Sequence, residues 1–282
     1  MEISTINLRL REQFRWLAKS VDLIDSRPLA RPAGLLSAAA GAYTGPDVTA
    51  RRLGIQFEQL VRYYLENIAQ VSDIETNIPI REDKITLGEA DLLFRFQRQW
   101  WHLELALKFY LREVETEGLA GYYGPNRKDR FDIKWRHMVE HQSQIFSKAS
   151  AQPLLEQRGV SCLKAGLLVK GWLFQHPNDQ RTTYPEPINP HHARGWWIHQ
   201  SELRDWLRSQ PSTARFMLVE KPLWLYPAAR VPSPCLNAAQ VINRLRGRYT
   251  AVQIWVVLGE GWSRQLLSRG YVVGDDWGRD EA

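Results

Sequence analysis

The 282 residues carry 37 Lys and Arg against 31 Asp and Glu, a formal net charge of +6, with 44% hydrophobic and 24% charged residues. That composition belongs to a globular chain long enough for one large domain or two small ones. Two cysteines, Cys162 and Cys235, exclude a disulfide framework or a cysteine-rich zinc site, and no apolar run reaches the roughly 18–20 residues of a membrane span. The basic balance favours a polyanionic partner, nucleic acid foremost. Met1-Glu2-Ile3-Ser4 has no signal-peptide pattern, so a cytoplasmic protein with no membrane partner is expected.

In chain order, residues 4 to 24 read as a helix with Leu8, Phe14, Leu17 and Val21 near one face. Residues 26 to 50 hold several Pro, Gly and Ala and read as a connector. A second helix runs from about Gly54 to Gln70, where Phe57, Leu60, Val61, Tyr64, Leu65 and Ile68 recur at helical spacing. Three strands follow, at Ser72–Ile80, Thr86–Gln97 and Gln99–Tyr110; the third alternates Leu103, Leu105, Leu107 and Phe109 with Glu104, Ala106 and Lys108. After a Gly- and Pro-containing loop, Phe131 to Lys148 reads as a helix with Phe131, Trp135, Met138, Ile145 and Phe146 on one face. Leu163–Phe174 is a strongly apolar strand. Strands at Trp196–His199, Phe216–Glu220 and Val252–Leu258 alternate with helices at Ser201–Leu207, capped by Ser201, and Ala238–Arg248. This order describes a mixed α/β sheet.

Period 2 places Glu89 and Asp91 on one face of their strand, and Glu104, Ala106 and Lys108 on one face of the next. The flanks are apolar: Leu92, Leu93 and Phe94 on one strand, Leu103, Leu105, Leu107 and Phe109 on the other. Charges buried there cost several kcal/mol unless they are paired or bound to metal. Carboxylates converging on one point suit a hard divalent cation, and a nearby lysine suits a phosphodiester.

Helix, three strands, helix and strand, with these acids on them, resemble the PD-(D/E)XK nuclease superfamily. Glu58 stands on the first helix, Gly88-Glu89-Ala90-Asp91-Leu92 resembles the superfamily's Gly-Glu-x-Asp-Leu strand, and Glu104 follows Asp91 by 13 residues. The resemblance implies an α/β fold with a restriction-endonuclease-like mixed sheet flanked by helices. The nuclease-like core would occupy residues 50–175, after an N-terminal helix and connector (1–49) and before a C-terminal α/β extension (176–282). It also implies Mg²⁺ or Mn²⁺ held by Asp91 and Glu104 with Glu89 or Glu58 assisting, and DNA as substrate. Lys108 would position the water or the phosphate, and Gln142, seven residues after Trp135, would orient a metal-bound water or the lysine. One departure stands out. The superfamily's lysine lies two residues after its acid, where this chain has Ala106; Lys108 lies about 13 Å along the strand from Glu104 at Cα. That leaves two rivals: a nucleic-acid-binding module with the fold but not the chemistry, and a protein-interaction scaffold. The segment Trp101–Tyr110, with Gly124-Pro125-Asn126 and Asp129, also resembles a bacterial family of unknown function that would cover most of the chain.

Other features carry alternatives. The loop Gly121–Arg130 has aromatics and cations suited to stacking and phosphate contact, or to a plain solvated loop. His137 and His141 lie four apart on a helix but without the Glu of a zinc-protease motif. Arg244, Arg246, Arg248, Arg264 and Arg269 form a basic set, either solvated surface or DNA contact.

Overall fold

A computed structural model describes residues 2–25, 27, 29–36, 51–68, 70–248 and 250–278. The chain is mixed α/β and folds as two compact units that interleave in sequence. The first takes 1–108, 132–171 and 186–192; the second takes 109–131, 172–185 and 193–282. None of the described helices is long and apolar enough to cross a membrane.

In the first unit, helix α1 (Glu2–Lys19) buries Leu10, Phe14 and Leu17, and helix α2 (Leu53–Glu66) buries Phe57, Leu60, Val61, Tyr64 and Leu65. They meet edge-on through Phe14 and Tyr64, whose ring centroids lie 5.6 Å apart. Strands β1 (Val71–Glu82), β2 (Ile85–Phe96) and β3 (Gln99–Arg112) form an antiparallel meander. The β2–β3 turn, Gln97–Arg98, has positive φ at both residues (50° and 68°), as a tight two-residue hairpin requires. α1 stops five residues short of its expected end. Beyond it the Leu23 N–H donates to the Val169 carbonyl and the Leu167 N–H to that of Leu29, so tertiary pairing replaces the last helical turn. The connector expected over 26–50 lies outside the described residues from 37 onward.

The helix expected from Phe131 to Lys148 is broken. α3 spans Phe131–His137, continues as a π-helical turn over Met138–Gln142, and gives way to short 3₁₀ turns and to α4 (Gln152–Gln157). Ile145, Phe146, Ala151 and Leu155 from this segment pack on Ile78, Ile80, Ala90 and Leu93. β4 (Tyr122–Tyr123) pairs with the end of β3 in the second unit, and β5 (Leu163–Gln175) is the other neighbour of β3. Close approach of β3 and β5 is permitted by Gly171, which has φ +147°; a Cβ there would lie 1.8 Å from the Lys108 carbonyl oxygen. Next to it, the buried Lys170 ammonium lies 2.8 Å from Asp22 Oδ1 and reaches the Ser20 carbonyl.

The second unit continues from β5 through β6 (Ala193–His199), β9 (Gln265–Val273), β8 (Val252–Leu258) and β7 (Arg215–Leu218). β5, β6 and β9 are mutually parallel neighbours, whereas β8 and β7 are added antiparallel. Helices α5 (Leu203–Arg208) and α6 (Ala238–Leu245) cover a core of Ile198, Phe216, Ile254 and Val256. α6 is closed by a reciprocal Asn237–Gln240 box, both bonds 2.9 Å. Ser201 is not the cap of α5. It lies inside a preceding 3₁₀ turn, closed by the Glu202 carboxylate accepting from the His199 N–H.

β9 has no counterpart among the strands expected from sequence, because Arg269-Gly270 interrupts its apolar run. Both residues have tertiary reasons. A Cβ on Gly270 would strike the Trp196 ring at 2.1 Å. The buried Arg269 guanidinium lies over Trp172 and Trp255, 4.2 and 4.6 Å from their ring centroids, and one N–H donates to the Trp224 carbonyl. Arg269 is therefore neither solvated nor exposed for DNA contact.

The close approach at Gly171 generates a stability prediction. Gly171→Ala should destabilise the chain by on the order of 3 kcal/mol and lower the thermal midpoint by roughly 10 °C. A circular-dichroism melt within about 2 °C of wild type would show that β3 and β5 do not approach this closely.

Candidate functional site at the fork of two strands

The β2–β3 ladder pairs Phe96 with Gln99 and proceeds to Leu92 with Leu103. One step further the register sets Asp91 opposite Glu104, and there the carboxylates take over the backbone's hydrogen-bonding groups. Asp91 Oδ2 accepts from the Leu105 N–H at 2.7 Å, and Glu104 Oε1 accepts from the Asp91 N–H at 3.4 Å. The site therefore sits where the two strands part. An unpaired buried N–H costs about as much as a lost hydrogen bond, and the two acids remove that cost.

Glu104 is fully buried. Besides the Asp91 N–H, it accepts from His102 Nε2 at 2.7 Å through Oε1 and from Gln142 Nε2 at 2.7 Å through Oε2. His102, two residues back on the same face of β3, is equally buried, and its ring meets Phe146 edge-on at 4.9 Å. A carboxylate only accepts, so the His102 proton sits on Nε2; Nδ1 has no hydrogen-bond partner among the described residues.

Gln142 ends the π-helical turn, in which the Ser143 N–H reaches back five residues to the Met138 carbonyl at 2.9 Å. The widened turn brings His137 and Lys134 to Gln142. Its Oε1 lies 2.6 Å from Lys134 Nζ and 3.1 Å from His137 Nδ1. These partners fix the amide: nitrogen toward the carboxylate, oxygen toward the ammonium. His137 and His141 stand 5.4 Å apart between ring centroids, and His137 turns to Gln142.

Electrostatically the site is crowded with negative charge. Burial, then the neighbouring Glu104 charge, push the Asp91 carboxyl up to about 7, against the opposing pull of the Leu105 N–H; Glu58 raises it further and Lys134 lowers it. Glu58, half-buried on α2, is itself raised by burial and then by Glu104 and Glu89. Glu89 is exposed on β2, and Lys108 is half-buried on β3. Asp91, Glu104 and Gln142 are thus joined by hydrogen bonds. Glu58 reaches the pair through charge, and Glu89 reaches it through Glu58. A cation acting on Asp91 is Lys134, which no sequence motif singles out; His102 is likewise outside the motif, although period 2 from Glu104 finds it.

Among the described residues no three His, Cys, Asp or Glu side chains stand close enough together to cage a metal ion. Mg²⁺ does not require such a cage, since it binds through one or two carboxylates and keeps water or substrate oxygens in its other positions. The donors here are hard oxygens, and the elevated Asp91 carboxyl marks a negative excess that a proton or a cation would relieve. The pair fits that ion.

A family model described as Domain of unknown function (DUF1853) matches residues 9–273. The chain belongs to this family. No curated protein and no solved structure matches it.

Two other features of this DUF1853 chain find structural partners. In the loop after β3, Arg127 lies 4.2 Å from the Tyr123 ring centroid and pairs with Glu113 at 2.9 Å. Arg264 donates to the carbonyls of Gly261, Ser233 and Val231.

The raised Asp91 carboxyl yields a pH prediction for the metal-free protein. Folding favours its neutral form, so that contribution is complete below about pH 4 and is lost as pH rises toward 7. Asp91→Asn keeps an acceptor for the Leu105 N–H without the charge. In urea denaturation with chelator present, Asp91→Asn should exceed wild type by on the order of 2 kcal/mol at pH 8, with little difference at pH 4. Equal pH dependence in the two proteins would mean that Asp91 titrates as an ordinary carboxyl.

Proposed function

We propose that this chain is a divalent-metal-dependent phosphodiesterase acting on DNA, with a PD-(D/E)XK-like, restriction-endonuclease-like core. The observation that carries the reading is the juxtaposition of Asp91 and Glu104 where β2 and β3 part, with Gln142 bonded to Glu104. The order α2, β1, β2, β3, α3, β5, interrupted by the two-residue β4 before α3 and by α4 after it, supports a reading as helix, three strands, helix and strand, and the net charge of +6 suits a polyanionic substrate.

Asp91 and Glu104 would hold Mg²⁺ or Mn²⁺, with Glu58 adding negative charge behind them. A bound ion of this kind lowers the pKa of its water and polarises the phosphodiester. The chain's own contribution is preorganisation. His102 and Gln142 hold the Glu104 carboxylate in one orientation, the Leu105 N–H holds Asp91, and the Phe146 ring packed on His102 limits water.

A second reading, a binding module without chemistry, is favoured by one observation. The Glu-x-Lys slot holds the buried Ala106. Metal-dependent turnover separates the two. With Mn²⁺ at pH 8, wild type should nick plasmid or linear DNA, and Asp91→Asn and Glu104→Gln should each lose at least 100-fold in rate. Mn²⁺ titrated calorimetrically should bind wild type and not Asp91→Asn. Binding of DNA with neither Mn²⁺ heat nor cleavage would establish the module instead.

A further inference from the structure

The proposed chemistry needs a cation facing the phosphate, and Lys108 stands about 13 Å along β3 from Glu104 at Cα. Lys134 is placed otherwise. Its Nζ is 2.6 Å from Gln142 Oε1, and the other end of the same amide is 2.7 Å from Glu104 Oε2. One amide therefore separates this ammonium from the buried carboxylate. The spacing exists because the chain over Met138–Gln142 is π-helical: a turn five residues wide brings Gln142 back beside α3, where Lys134 and His137 lie. π-turns inside helices recur at functional sites, since they re-aim side chains at a cost in backbone regularity.

We propose that Lys134, rather than Lys108, is the catalytic cation of this site and contacts the DNA phosphate, and that Gln142 is the positioning residue that sets its place. The inference rests on the hydrolase reading for its catalytic half only; the phosphate contact stands on geometry and charge. Gln142 gives the ammonium a fixed acceptor without neutralising it, as a carboxylate at the same position would. The amide that joins the two carries no charge of its own.

The test compares Lys134→Gln, Lys134→Arg and Lys108→Gln in the full chain, using a short duplex DNA and Mn²⁺ as probes. In chelator, Lys134→Gln should bind the duplex several-fold more weakly and lower the slope of log affinity against log salt by about 1. Lys134→Arg should keep the wild-type slope, and Lys108→Gln should leave both slope and affinity unchanged. A purely structural lysine would not alter that slope. Calorimetry without DNA should show Lys134→Gln binding Mn²⁺ at least as tightly as wild type, because a repelling charge has gone, while cleavage falls at least 100-fold. An unchanged salt slope in Lys134→Gln, or the loss appearing in Lys108→Gln instead, overturns the assignment. Wild type that binds DNA but no Mn²⁺ overturns the hydrolase reading, and the salt slope then still decides whether Lys134 meets phosphate.

Discussion

At the last rung of the β2–β3 hairpin, two acids replace the backbone's own partners. Strands that part inside a protein leave N–H groups which must be satisfied, and here the Asp91 and Glu104 side chains reach across to each other's strand. The arrangement requires both carboxyls to stay near each other in an apolar setting, where like charges repel and burial penalises ionisation. Everything around the pair follows from that constraint. His102, Gln142 and the Leu105 N–H are all donors, and all are aimed at carboxylate oxygens. Burial and the neighbouring charge favour a proton or a cation in such a cluster, which makes the same group of residues a candidate reaction centre.

The chain holds buried charge in two different ways. Arg269, in the second unit, is held by two indole faces and a carbonyl, and burial still lowers its pKa to about 10. That solution closes the charge off from ligands. At the strand fork the stabilising groups are hydrogen-bond donors from β2, β3 and the π-helical turn, and the negative charge is left in excess. Arg269 contributes to a fold, whereas an excess of buried carboxylate marks a candidate functional site.

How much of this was legible in the sequence varies by residue. Alternation put Asp91 and Glu104 on single faces of their strands, and the hairpin spacing set them opposite each other, because 91 and 104 are equidistant from the Gln97–Arg98 turn. Period 2 from Glu104 also reaches His102, although its partner could be known only from the fold. Gln142 was reachable through helical spacing from Trp135, yet the element bearing it is not a continuous helix. Lys134 and His137 join Gln142 through a π-turn, and nothing in the side-chain pattern distinguishes that turn from an α-helical one. β9 escaped because a buried arginine and a glycine look like a surface interruption until the two indoles and the Trp196 ring are in place.

Residue order alone dictates most element types, the succession helix–three strands–helix–strand, and the faces on which the acids lie, because these depend on local periodicity and on the placement of apolar residues. Tertiary packing decides where β2 and β3 separate, which donors meet Glu104, and which lysine shares the site. Those outcomes depend on backbone groups left unpaired by neighbouring strands and on a π-helical turn followed by Ile145 and Phe146, which pack against the sheet. Contacts between residues 38 positions apart, such as Gln142 with Glu104, have no local signature.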